Sequence, residues 1–231
     1  MLESLRTEVY EANLEIVRRG LVLYTFGNAS GIDRESGLVV IKPSGVPYEE
    51  MRPEHMVITD SAGNVVEGKL RPSSDLATHL EIYRAFEPIG GVVHTHSRHA
   101  TAWAQAGREI LCFGTTQADY LHGAIPVTSP LLTEEIVTDY EKNTGLAIVR
   151  LIGSRDPLSC PAALVVGHAP FCWGASVTEA AKTAVIVEEI AAISFETITI
   201  NAAARPLPDA LRDKHHFRKH GPNAYYGQAK S

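Results

Sequence analysis

His94 and His96 stand two apart in the apolar, β-branched run 92–96. On a strand, side chains at i and i+2 leave the same face, so both imidazoles can converge on one divalent ion. His168 follows a second apolar run, 163–167, and the succeeding Ala169 and Pro170 can turn its ring inward. Asp75, in the first turn of an expected helix, adds a hard oxygen. Three histidines and one carboxylate suit zinc, and manganese or cobalt would accept the same set. An HxH pair alone fits an ordinary strand as well as a metal site, and a lone histidine is commonly a hydrogen-bonded structural residue. The four together make the stronger case. His79, one helical turn after Asp75, and His99, three after His96, are rival ligands or, better, supporting residues.

Three small polar pairs, Gly27 with Asn28, Ser44 with Gly45 and Ser73 with Ser74, fall where loops meet regular elements. Such pairs expose backbone N–H and hydroxyl donors without bulk, as an anion site requires, although each is also an ordinary turn or cap. Lys42, two residues before Ser44, would strengthen an anion site. Asp119, within the polar run 115–120, is a helix cap or a proton carrier. The tail carries Arg212, Lys214, His215, His216, Arg218, Lys219 and His220, followed by Tyr225 and Tyr226. Its plain reading is a solvated charged helix face.

The elements that would position these groups follow from periodicity. Leu2, Leu5, Val9, Ala12 and Ile16 recur at helical spacing, and Gly20 stops the helix. Runs 38–42, 56–60 and 65–67 read as short antiparallel strands, with 61–64 as a turn. The sequence Pro72-Ser73-Ser74-Asp75 precedes a helix bearing Leu76, Leu80 and Tyr83, which a serine would cap. Run 92–96 reads as a buried strand. Beyond it we expect a short helix through Ala104, strands near Ile110 and Ile125, a helix over 133–140, and strands at 147–152 and 163–167. Ser176 with Glu179 predicts a capping box for a long helix, and a last helix covers 208–219. The pattern is an α/β class with α+β-like layers, in one domain over 1–231.

Bulk properties limit the partners. A net charge of −6 with 21% charged residues does not suit a nucleic-acid binder, and 45% hydrophobic residues supply a substantial core. The start lacks a secretory pattern, and no apolar run approaches spanning length. Cys112, Cys160 and Cys172 form no CxxC pair and read as free thiols of a cytoplasmic protein. Neither GxGxxG nor GxxxxGK[ST] is present.

Gly27-Asn28, Lys42-Pro43-Ser44-Gly45, Pro72-Ser73-Ser74-Asp75, His94-Thr95-His96-Ser97, Arg218-Lys219-His220-Gly221 and Ala224-Tyr225-Tyr226-Gly227-Gln228 together resemble the L-ribulose-5-phosphate 4-epimerases of the class II aldolase and epimerase superfamily. The likeness runs from the first helix to the tail. It implies a central, mostly antiparallel sheet covered by helices, in a homotetramer with active sites between subunits. It also implies metal ligands Asp75, His94, His96 and His168, and phosphate and substrate loops at Gly27, Asn28, Ser44, Gly45, Ser73 and Ser74. The implied acid–base pair is Asp119 and Tyr226. Tyr226 would reach the neighbouring subunit's site together with His215 and Arg218, in the segment from about 208. Aldolase relatives carry Glu where this chain has Asp75, which favours epimerisation. Gln117, where epimerases commonly have His, and Ala169, where Gly is usual, depart from the pattern.

The implied reaction interconverts L-ribulose 5-phosphate and D-xylulose 5-phosphate. The hydrogen on C4 of a 2-ketose phosphate lies β to the carbonyl, so its removal gains no enolate stabilisation. Inversion therefore requires retro-aldol cleavage of C3–C4, rotation of the aldehyde and re-addition, with two proton carriers. The alternatives are an aldolase that releases both fragments, and a non-catalytic assembly module of the same fold. With active sites shared between subunits, mixing Asp119→Asn and Tyr226→Phe proteins is expected to restore some activity.

Overall fold

The computed structural model describes residues 2–227, so Gln228 of the tail motif lies outside the described residues. Seven strands form one sheet in the order β4-β3-β2-β1-β5-β7-β6, with every neighbouring pair antiparallel. They are β1 (Asn28–Asp33), β2 (Leu38–Ile41), β3 (Val57–Thr59), β4 (Val65–Glu67), β5 (Gly91–His94), β6 (Ala162–Leu164) and β7 (Pro170–Gly174). The helices are α1 (Glu3–Arg18), α2 (Leu76–Ala85), α3 (Arg98–Gln105), α4 (Thr115–Ala118), α5 (Thr133–Ile152), α6 (Val177–Ile200) and α7 (Asp209–Phe217).

Alternation along the strands sorts the core into two layers. Val40, Ile58, Val93 and Cys172 face the side covered by α1, α3 and α6. Val39, Ile41, Val57, Val92, Phe171 and Trp173 face α2 and α5. That period of two is what a sheet buried on both faces demands, and it yields helix, sheet and helix layers. Glycines permit the closest approaches. A Cβ on Gly91 would lie 2.4 Å from Val177 Cα, and one on Gly145 of α5 would lie 2.9 Å from the Thr78 carbonyl of α2.

Several expectations change. Residues 147–152, expected as a strand, continue α5, because Ala147, Ile148 and Ile152 fall at helical spacing against α2. A six-residue strand, β1, occupies a stretch for which no element was expected: Asn28 to Gly31 pair with β5, Ser30 to Asp33 with β2, and Ser30 and Gly31 with both. Its small and polar residues hide the strand pattern. β7 was likewise masked by its leading proline, which is tolerated at the first residue of a strand. Ile110 and Ile125 make only an isolated bridge. No serine side chain caps α2, and Asp75 precedes its first turn. Ser176 Oγ does accept from Glu179 N at 3.2 Å, but Glu179 reaches back to Ala175 N rather than closing the box on Ser176.

Candidate functional site

β5 ends at His94, and the extended residues after it carry His96 before α3 begins. The i, i+2 geometry therefore survives although only one histidine is in the strand. A turn closed by His168 N to Val165 O at 3.0 Å and Val165 N to Ala169 O at 3.0 Å, with Gly167 at φ +71°, returns the chain into β7 and sets His168 beside them. Ala169 is fully buried there and leaves the turn intact. One donor atom from each of His94, His96 and His168 lies within 4.8 Å of the others.

The rings are held as neutral bases. His94 Nδ1 lies 3.0 Å from the Pro170 carbonyl, which can only accept, so the proton is on Nδ1 and the lone pair on Nε2. That Nε2 is 3.1 Å from His96 Nε2. Burial lowers all three histidines, His94 to about 3, with Asp75 pulling the other way. Nitrogen lone pairs gathered in a partly buried, carboxylate-flanked cluster are what a divalent cation needs, so these residues fit the implied metal.

Asp75 stands outside that tight group of three but lines the same cavity, of about 390 Å³. Asn28 Nδ2 donates to its Oδ2 at 2.6 Å. Burial would raise the carboxyl, yet His94, His79, Asn28 and His168 outweigh it and keep Asp75 ionised. His79 is wholly buried and bonds Ser30 Oγ through Nδ1 at 2.7 Å, and His99 is tied to Glu188 at 2.9 Å. His79 meets the Phe171 ring edge-on at 6.0 Å and stands beside the cluster as a support, whereas His99 is turned to α6.

Gly27, Asn28, Lys42, Ser44, Gly45, Ser73 and Ser74 line the same cavity. Gly27 takes φ +83°, and a Cβ there would press to 3.0 Å from the His94 carbonyl. Ser44 N to Arg71 O and Ser73 N to Lys42 O, both at 2.9 Å, join the two serine loops. Lys42 is almost fully buried, with Nζ near the Thr25 and Pro43 carbonyls and 4.8 Å from the centre of the Tyr48 ring. Burial lowers its ammonium to about 8, partly offset by Asp75. Thr25, Phe26, Tyr140 and Glu141 complete the lining. Neither of the last two was singled out in the sequence, because Tyr140 closed the helix expected over 133–140 and Glu141 lay just past it, with nothing in their spacing to place them at the site.

Asp119, His215, Arg218 and Tyr226 are brought together elsewhere. Arg218 Nη2 and Nε reach Asp119 at 2.7 and 3.0 Å, His215 Nδ1 at 3.1 Å and Lys219 at 3.3 Å. Burial would raise the Asp119 carboxyl, but Arg218, His215 and Lys219 hold it below the usual range. Arg218 and Lys219 lie 5.0 and 4.4 Å from the centre of the exposed Tyr226 ring. Asp119 and Tyr226 line a second cavity, of about 580 Å³, that shares no residue with the first. Gln117 bonds the Ile110 and Gly123 carbonyls at 3.3 and 2.9 Å, and so braces the loop instead of facing Asp119.

Residues 7–195 match the Class II Aldolase and Adducin N-terminal domain. The chain belongs to this family. Among its members, the L-ribulose-5-phosphate 4-epimerase UlaF of Salmonella paratyphi B is 52% identical over 227 residues, covering 98% of this chain and 100% of that protein. The class II aldolase fold recurs in an L-fuculose 1-phosphate aldolase, at a TM-score of 0.80 and 24% identity, covering 92% of this chain and 94% of that one. It recurs again in an L-fuculose 1-phosphate aldolase from Glaciozyma antarctica PI12, at a TM-score of 0.77 and 14% identity over 96% of this chain and 84% of that one.

Proposed function

We propose that the chain interconverts L-ribulose 5-phosphate and D-xylulose 5-phosphate in the cytoplasm, as a metal-dependent 4-epimerase. The observation that carries the reading is one cavity combining the three-histidine cluster and Asp75 with Lys42 and the serine loops, in a chain 52% identical to an L-ribulose-5-phosphate 4-epimerase. His94, His96 and His168, completed by Asp75, would hold the metal, with zinc preferred over manganese or cobalt. Bound there, it would supply Lewis-acid stabilisation to negative charge developing on the ketose oxygens.

The chain's own groups do the rest. Lys42 with Ser44, Gly45, Ser73 and Ser74 binds the phosphate and retains the glycolaldehyde phosphate fragment while it rotates. Gly27 and Asn28 shape the sugar end, and Asn28 holds Asp75 toward the cluster. Asp119 and Tyr226 exchange the C4 hydroxyl proton on opposite faces, with His215 and Arg218 holding the Asp119 carboxylate in place. Because those four residues gather away from the cluster within one chain, the tail and Asp119 would complete a neighbouring subunit's cavity in a homotetramer.

Incubation with L-ribulose 5-phosphate should yield D-xylulose 5-phosphate without free glycolaldehyde phosphate. Activity should vanish on chelation and return with zinc. Accumulating fragments would instead establish the aldolase reading that the fold also serves, and activity indifferent to chelators would overturn the metal assignment. Asp119→Asn should reduce turnover by roughly 10²- to 10⁴-fold while metal content persists, the usual reach of one proton carrier. Turnover near that of the unaltered enzyme would remove Asp119 from the mechanism.

A further inference from the structure

Within α5, Asp139 leaves helical geometry, at φ −157° and ψ 72°. The break is braced on both sides. Asn143 Nδ2 donates to the Glu135 carbonyl at 2.8 Å, and Thr144 Oγ1 to the Tyr140 carbonyl at 2.8 Å. Thr78 of α2 binds the Glu141 carbonyl at 2.6 Å. A helix interrupted at one residue and then held by three side chains is a supported feature, and what it presents to the cavity is Tyr140 with Glu141.

Tyr140 Oη lies 3.3 Å from His168 Nδ1. His94 and His168 differ in how they are steadied. His94 has a backbone carbonyl on Nδ1, whereas His168 sits in a turn and is half-buried, with a side-chain hydroxyl as its Nδ1 partner. A partner on Nδ1 fixes the proton there and leaves Nε2 as the ligating nitrogen. A phenol oxygen accepts as well as donates, so Tyr140 Oη can take that N–H.

We propose that Tyr140 is a positioning residue that sets the tautomer and orientation of His168 toward the divalent metal, and that the break in α5 exists to bring it there. The inference rests on the metal-site reading above. The distinction between the two is experimental.

Metal affinity of the full chain, read by competition with a chromogenic chelator, should fall about 10-fold or more in Tyr140→Phe, the usual cost of losing such a partner. The thermal midpoint of the metal-free protein should stay unchanged, because the ring that packs is retained. The visible spectrum of the cobalt-loaded protein should shift, which a purely structural role would not produce. Asn143→Ala, which loosens the break without touching the cavity lining, should weaken affinity in the same direction and to a smaller degree. His168→Ala should abolish tight binding. If the unaltered chain binds no metal, the site reading itself fails. If it binds and both Tyr140→Phe and Asn143→Ala bind equally well with an unchanged cobalt spectrum, the Tyr140 inference alone is overturned.

Discussion

A lysine ammonium held near pH 8 beside an ionised aspartate is poised to meet a phosphate dianion. Lys42 is charged below about 8 and neutral above it, so substrate affinity should be flat to neutral pH and weaken as pH passes through 8. Measured KM for the ketose phosphate should rise over that limb. In Lys42→Met, KM should be about 10-fold higher or more below pH 8, the scale of one lost charged hydrogen bond, with the limb gone. A KM unchanged to pH 9 would count against the role. The stability sign is opposite. An unfolded lysine titrates near 10.5, so between about 8 and 10.5 the unfolded chain binds more protons and this residue's contribution to stability rises with pH. At this scale, residue types and spacing pointed to Lys42 and the histidines. They could not reveal that Lys42 is buried, which is the cause of its shift.

Elements contribute mainly by how closely they approach one another. Helices α2 and α5 meet at Gly145, where a Cβ would lie 2.7 Å from Glu81 Cβ and 2.9 Å from the Thr78 carbonyl. Alanine in a helix interior ordinarily stabilises relative to glycine by roughly 0.5–1 kcal/mol. Here Gly145→Ala should reverse that sign and destabilise by about 1–3 kcal/mol through overpacking. For a chain of this size, each kcal/mol corresponds to a fall of about 2–4 °C in the thermal midpoint, readable by calorimetry. An unchanged or raised midpoint would show that the helices separate freely. Since Asp75 precedes α2 and Tyr140 lies on α5, metal affinity should fall with it. The amphipathic α1, the long α6 and the strands β2 to β5 were legible because apolar period and composition agree. β1 was not, since Ser30 and Gly31 owe their strand geometry to partners on both sides.

For the whole molecule, the question is which chains supply one active site. Asp119 and Tyr226 sit in one cluster of the same chain, so they would travel together to a neighbour's metal cavity. This revises the sequence-based expectation that Asp119→Asn and Tyr226→Phe proteins complement each other. Every site in such a mixture would lack one carrier, and no activity should return. Mixing His94→Asn with Tyr226→Phe should restore activity, to roughly a quarter of the unaltered level if subunits mix at random in a closed ring. Recovery in the first mixture, or none in confirmed hybrids of the second, would refute the shared site. Among the described residues no helix is long and apolar enough to cross a membrane.

The sequence by itself determined the donor chemistry: which imidazoles, carboxylate, lysine and serine pairs exist, and, through their order along the chain, the family to which they belong. Local spacing carries that information because two residues on one extended segment must share a face. Only the tertiary structure decided that β5, the turn before β7, the approach to α2 and the broken α5 converge on one cavity, while Asp119 joins the tail in another. Those meetings depend on sheet order and helix packing, which link residues far apart in sequence and leave no local pattern to read.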